Sequence, residues 1–231
     1  MTTPHPLDNP VWFALSGPHR SLALRRGGAA RYPADVAPFV AVEDASTSAC
    51  DAATCLVAPG ERVCFVGLVP ALPRTWHVEE SASIAQMIRY APLAVPDGPN
   101  AVELGEAHVA DLLGLTALVY PHYFRARTIA MGRYFGIYEG RRLAAMAGER
   151  LAFDGYREIS AVCTHPDHVG RGYATRLIAL LTNDILGDGE VPFLHFSHAN
   201  IRAKALYEKL GYRQRADIAL LAVAKPRDSL D

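Results

Sequence analysis

The 231-residue chain lacks any strong excess of charge: Lys and Arg total 23, Asp and Glu 24, and the net charge is −1. A balance that even provides no field to draw the chain to nucleic acid or to an anionic membrane surface. It also lacks an uninterrupted apolar stretch near the ~20 residues needed to span a bilayer. The opening residues MTTPHPLDNP do not follow the basic-then-apolar order of a secretory signal. Cysteine is scarce. Cys50, Cys55, Cys64 and Cys163 are spaced like neither a zinc site nor a small disulfide scaffold. The expectation is a cytosolic protein with reduced, mostly buried thiols and no metal. What the chain does have is apolar material. Half of its residues are hydrophobic and 20% are charged, which excludes a mostly disordered or collagen-like polymer.

Two parts are expected, residues 1–98 and 99–231. The first is rich in alanine and proline, with apolar segments PFVAV and RVCFVGLVPAL. ESASIAQMIRY then reads as a helix, with Ile84, Met87 and Ile88 at helical spacing, and APLAVPDGPN reads as a linker. The second part is patterned more clearly. AVEL suggests a strand, EAHVADLLGLTALV a helix, and GRYFGIYEGRRLAAMAGERLAF two strands turning at Glu139-Gly140. Asp154-Gly155 is a hairpin signal before YREISAVCT. Strict alternation along that strand puts Glu158, Ser160, Val162 and Thr164 on one face, and Ile159, Ala161 and Cys163 on the other. Ala174, Leu177, Ile178, Leu181 and Ile185 mark a helix, VPFLHFS a strand, NIRAKALYEKLGY a helix closed by Gly211, and ADIALLAVAK a final strand. The order β-α-β-β-β-α-β-α-β implies an α/β (α+β) domain, a mixed central sheet flanked by helices.

Between the strand and helix of THPDHVGRGYATRL stand Gly170 and Gly172. A helix N-terminus presents unpaired N–H groups and partial positive charge, and glycines let a phosphate approach the backbone. A P-loop would need Gly-Lys-Ser/Thr, whereas Tyr173-Ala174 follows Gly172. A dinucleotide fingerprint would need a third glycine and a distant acidic residue. Neither is present.

The stretch from Glu158 to Tyr212 resembles the GNAT superfamily of acyl-CoA-dependent N-acyltransferases. There a strand leads through a Val-x-Pro-like segment into Arg/Gln-x-x-Gly-x-Gly/Ala and a helix, here THPDHVGRGYA. About 30 residues on comes a pattern like Asn-x-x-Ala-x-x-Leu-Tyr-Glu-Lys-Leu-Gly-Phe, here NIRAKALYEKLGY. The resemblance covers residues 100–226. It is nearest to the FR47-like group, because RYFGIYEGRRLAAMAGERL precedes EISAVCTHPDHVGRGYA. It implies a GNAT fold preceded by a smaller, reduced GNAT-like lobe with no second cofactor site. It also implies acetyl-CoA as co-substrate. One position departs from the pattern: Val169 stands where Arg or Gln is usual, with His168 before it and Arg171 inside the loop.

The resemblance implies roles residue by residue. The strand ending at Thr164 splays from its neighbour, so backbone groups of Val162, Cys163 and Thr164 face the pantetheine arm, and one N–H polarises the thioester carbonyl. Val169, Gly170, Arg171, Gly172, Tyr173 and Ala174 surround the pyrophosphate, and Asn200 lies beside the cofactor. Tyr207 is the candidate general acid. It follows Asn200 by seven residues and shares its helix face, with small Ala203 between them. A thiolate of pKa ~8.5 takes a proton readily from a nearby phenol. Glu158, fourteen residues before Gly172, is a candidate general base; an ordered water is the alternative, and His198 a further one. Cys163 has no partner base that would make it a nucleophile. Tyr123, Phe124, Arg125, Tyr134 and Tyr138 are candidates for the acceptor pocket, with Arg125 or Arg127 gripping a carboxylate.

The expected activity is transfer of an acetyl, or short acyl, group from acetyl-CoA to a primary amine of a small molecule or amino acid. The rival is a catalytically silent CoA-binding sensor or interaction module. Retention of both Glu158 and Tyr207 favours the enzyme.

Overall fold

The computed structural model describes residues 5–119 and 124–227. In chain order its regular elements begin with α1 (Pro10–Ser16), β1 (Leu24–Arg26), β2 (Ala29–Arg31), β3 (Val40–Val42), α2 (Thr47–Leu56), β4 (Arg62–Val66) and β5 (His77–Ile88). They continue with β6 (Val102–Leu104), α3 (Val109–Val119), β7 (Tyr134–Glu139), β8 (Arg142–Phe153), β9 (Tyr156–Thr164) and α4 (Tyr173–Gly187). β10 (Val191–Ser197), α5 (Ile201–Lys209) and β11 (Arg213–Ala224) complete the chain. Among the described residues no helix is long and apolar enough to cross a membrane.

The chain divides into two compact units, one of residues 1–34, 38–85 and 217–231, the other of 35–37 and 86–216. β5 and β11 therefore each run from one unit into the other. In the first unit β1, β2 and β3 form an antiparallel sheet, and β4 pairs antiparallel with Leu220–Ala224 of β11. Its core gathers Val40, Val42, Ala53, Val57, Phe65, Trp76 and Val223. Ser46 caps α2 by accepting the Ala49 N–H at 3.3 Å, which satisfies one of the donors a helix start leaves unpaired.

The second unit has the mixed sheet expected of the fold. β6, β7, β8 and β9 are antiparallel neighbours, β10 runs parallel to β9, and segments of β5 and β11 follow. Such a parallel pair requires a crossover, and α4 supplies it. β8 is buried along nearly its whole length, so its sequence LAAMAGERLAF is a near-continuous small and apolar run, not an alternating one. On one face Leu112 and Leu115 of α3 pack with Tyr134, Met146 and Cys163. On the other face Arg133 and Arg157 reach Asp184 and Asp188 at the end of α4, at 3.5 and 3.1 Å.

ESASIAQMIRY is not a helix, as its spacing had suggested, but the end of β5. Ile84, Ala85, Gln86 and Met87 are all buried, and a segment enclosed on both sides has no period to read. Placement between β10 and β11 overrides the weak local preference. Elsewhere in the second unit the expected strands and helices are found in the expected order.

Candidate active site

β9 and β10 begin side by side and then part. Their register comprises Val191 with Tyr156, Pro192 with Arg157 and Phe193 with Glu158. Past Phe193 the parallel pairing stops, although β9 continues to Thr164 and β10 to Ser197. β9 remains attached to β8 throughout. The His165 N–H donates to the Ala144 carbonyl at 2.8 Å, and Thr164 and Cys163 lie opposite Ala145 and Met146. Because backbone groups alternate sides along a strand, the N–H groups of Val162 and Thr164 are directed away from β8 into this fork.

The strand alternation expected for β9 is broken by a bulge. Cys163 pairs with Met146 but Ser160 with Gly148, so three steps on β9 match two on β8. The inserted residue is Ala161, whose φ of 52° lies in the left-handed region that residues with a Cβ rarely occupy. Met146 and Gly148 are two apart and share a face, so Ser160 and Cys163 share one too, and Glu158 is with them. Two expectations are thereby corrected: Glu158 does not share a face with Val162 and Thr164, and Cys163 is not opposite it. Cys163 is buried, and burial pushes its thiol up to about 12. That is the reverse of what a nucleophilic cysteine needs.

Beyond β9, a short 3-10 turn at Pro166–His168 leads to the glycines. Gly170 and Gly172 have φ of 85° and 79°, and a Cβ built on either meets no atom within 4 Å. The loop thus turns as only glycine does without strain, and its outer side is open. The Val169 N–H is engaged with the Pro166 carbonyl at 3.4 Å. Among the described residues, the N–H groups from Gly170 through Thr175 have no acceptor, and the first bond of α4 closes only at Arg176, onto Gly172, at 3.0 Å. These donors, at the positive end of a 15-residue helix, make a nest for an anion. The nest begins at Gly170, since the Val169 N–H is already bonded. The Val169 side chain points to solvent, Arg171 is half-exposed nearby, and Tyr173 is buried with its hydroxyl on Glu139.

Glu158 has no solvent exposure. Arg150 grips it with two hydrogen bonds, Nε to Oε2 at 2.8 Å and Nη2 to Oε1 at 2.6 Å. His195 Nδ1 lies 2.7 Å from Oε1. Burial alone would raise the pKa of this carboxyl, but the charge of Arg150 and the His195 contact outweigh it and hold the group down at about 2. A carboxylate so enclosed and so acidic is a poor proton acceptor. Its chain neighbour Arg157 pairs elsewhere, with Glu149, Asp188 and Glu190.

Tyr207 of α5 is buried, with its ring against Phe196 (5.7 Å) and Tyr212 (6.2 Å). Its hydroxyl makes no hydrogen bond among the described residues. Burial, and then the proximity of Tyr212, Cys163 and Glu158, raise its pKa, so the phenol keeps its proton. Asn200 caps the same helix, its Oδ1 accepting the Ala203 N–H at 3.0 Å.

The acceptor candidates are scattered. Tyr123 lies outside the described residues. Phe124 packs edge-on against Tyr134, which is itself a core residue whose buried hydroxyl has no hydrogen-bond partner among the described residues. The Arg125 N–H bonds Thr128, and Arg127 pairs with Asp35 at 3.2 Å. The Tyr138 hydroxyl donates to Asp111 at 2.7 Å, and burial followed by this bond pushes it up to about 12. Asp111, Glu139, Arg141, Arg142, His165 and His168 line a cavity of about 780 Å³. His198 is exposed beside Phe196.

The FR47-like protein family matches residues 134–220. A crystal structure of a protein assigned to the GNAT acetyltransferase family, from Novosphingobium aromaticivorans DSM 12444, is 34% identical. The match covers 96% of this chain and 99% of that one, with a TM-score of 0.87.

This chain belongs to the GNAT family.

A further relative is YobR of Bacillus subtilis, an uncharacterized N-acetyltransferase, 32% identical over 94 residues. That alignment spans 40% of this chain but only 37% of YobR, little more than a third of the relative's length. A GCN5-related N-acetyltransferase from Kribbella flavida shares 16% identity over 95% of this chain and 97% of that one, with a TM-score of 0.61. At that identity the likeness is one of fold. Within this GNAT chain three polar residues around Glu158 escaped the motif reading: Arg150, His195 and Gln86. Only His195 carried a signal, as a histidine in an apolar strand, VPFLHFS.

Proposed function

We propose that the protein transfers an acetyl, or short acyl, group from acyl-CoA to the primary amine of a small molecule or amino acid. The observation that carries this reading is the continuity of the β9–β10 fork with the unpartnered N–H groups of Gly170 to Thr175. A pyrophosphate fits the nest, because the space in front of both glycines is open and the donors there have no other acceptor. Arg171 adds a half-exposed positive charge beside it. The pantetheine arm then lies along β9, hydrogen-bonding the Val162 and Thr164 backbone. One of those N–H groups polarises the thioester carbonyl as negative charge develops on its oxygen.

The amine attacks the carbonyl directly, and the thiolate leaves with a proton from Tyr207. Burial raises the pKa of Tyr207 and so keeps its hydroxyl protonated until the thiolate forms, and no described residue competes for that hydroxyl. Of the bases the sequence allowed, water is favoured over Glu158, whose carboxylate is sealed from solvent and held at about 2. The same enclosure is what supports binding without catalysis as the second reading. The test is release of free thiol from acetyl-CoA across a panel of amines and amino acids, with Tyr207→Phe as control. Turnover by the parent that falls about 10²–10⁴-fold in the variant supports the enzyme. Acetyl-CoA binding with no turnover on any amine favours the silent module.

A further inference from the structure

Gln86 is a polar side chain without solvent exposure, in a run whose other members are Ile84, Ala85 and Met87. A buried amide is costly unless its hydrogen bonds are made, and here they are made in a way that fixes direction. Arg215 Nη1 lies 2.8 Å from one end of the amide. A guanidinium can only donate, so that end is the carbonyl oxygen and the other end is the NH₂. The NH₂ lies 2.9 Å from His195 Nε2 and donates to it. Nε2 must then carry the lone pair, and the imidazole proton is on Nδ1, from which it is donated to Glu158 at 2.7 Å. Turning the amide over would set its NH₂ against Arg215, donor against donor. Arg215 thus dictates Gln86, Gln86 dictates the His195 tautomer, and His195 together with Arg150 orients the Glu158 carboxylate.

The place of this chain of contacts gives it a consequence. Glu158 with Phe193 is the last paired position of β9 and β10, and His195 stands two residues further along β10. Side chains therefore bridge β9, β10 and β5 where the backbone pairing of the first two has ended. We propose that Gln86 is a positioning residue: by holding His195 as its Nδ1–H tautomer it keeps Glu158 as a fixed pin at the root of the fork. This sets the width in which the β9 N–H groups meet the thioester carbonyl. The proposal rests on the acyl-transfer reading.

Two measurements test it together. The first is the ¹⁵N–¹H spectrum of His195 in histidine-labelled protein near neutral pH, which reports which ring nitrogen is protonated. The parent protein should show protonated Nδ1 and bare Nε2. Gln86→Glu should show both nitrogens protonated, because a carboxylate accepts from Arg215 and from Nε2–H alike. Arg215→Met, which frees the amide to turn, should show a mixture of tautomers. The second is kinetics. Gln86→Leu, an apolar replacement suited to its surroundings, should lower kcat about 10²-fold. The limbs of its pH profile should stay where they are, since no proton-transfer group has been removed. A parent with Nε2–H, or a Gln86→Leu variant with unchanged kcat, overturns the positioning role alone. The expected tautomer in a parent that acetylates no amine overturns the acyl-transfer reading and the positioning role with it.

Discussion

Replacing Gly172 by glutamate tests the anion nest with a magnitude that the structure allows to be worked out. A side chain at φ 79° costs ~1–2 kcal/mol, the penalty of the left-handed region. No steric term adds to it, since the built Cβ meets nothing within 4 Å. For a chain of this size ~1 kcal/mol moves Tm by roughly 2–4 °C, so the ligand-free variant should melt roughly 2–8 °C lower and still fold. Acetyl-CoA at ~100 times its Kd should stabilise the parent by about 2.7 kcal/mol, a rise of roughly 5–11 °C. A carboxylate ~5 Å from one phosphate charge, at an effective dielectric constant of ~20, is repelled by about 3 kcal/mol. That is more than a hundredfold in affinity and enough to abolish the rise at the same concentration. Gly172→Ala, which has the conformational cost without the charge, should keep part of it. The assay is differential scanning fluorimetry with and without acetyl-CoA. A Gly172→Glu protein that melts cooperatively and retains the parent's full rise would refute the placement of the pyrophosphate at this loop.

Three further outcomes follow from the buried groups. Tyr207→Phe should leave Tm little changed while turnover collapses, because the hydroxyl it removes has no hydrogen bond among the described residues to lose. A large loss of Tm would contradict that environment. Glu158 is held at about 2 against an ordinary 4.5, so its pairing stabilises the fold above pH ~4.5, and the stabilisation is lost as pH falls toward 2. The amount is on the order of 3 kcal/mol, and Glu158→Gln should flatten that acid limb in a pH series of urea melts. Native alkylation read by mass spectrometry should label exposed Cys55 and spare Cys50, Cys64 and Cys163 until the chain is unfolded. Early labelling of Cys163 would contradict its enclosure.

The sequence carried the second unit well because its signals there are local. Asp154-Gly155, the glycines before α4 and the 3.6-residue spacing of Leu177, Leu181 and Ile185 each act within a few residues. What it did not carry depends on distance. The true surroundings of Glu158 are assembled from His195, 37 residues away, and from Gln86, a further 109 from His195. No spacing rule connects such positions, so a carboxylate on a strand near a glycine loop reads as a base whether or not an arginine encloses it. β5 failed for a related cause. Its final run is covered on both sides, which erases the alternation by which strands are recognised. The bulge at Ala161 failed for the opposite cause: alanine is an unremarkable strand residue and gives no warning of a left-handed φ.

That one residue makes β9 a strand of two parities. Upstream of it the side chains that face α3 are counted in even numbers, downstream in odd, while the loop that ends the strand stays in step with the downstream half. Positions carried across from a relative by counting back from the glycines land on the correct side only if the relative has the same insertion at the same step. Counted back from the glycines, a strand without the insertion keeps Cys163 in place and turns the position of Glu158 toward α4. Glu158 and Cys163 are thus brought to a common side by one residue in the count, and deleting Ala161 is expected to separate them without altering either.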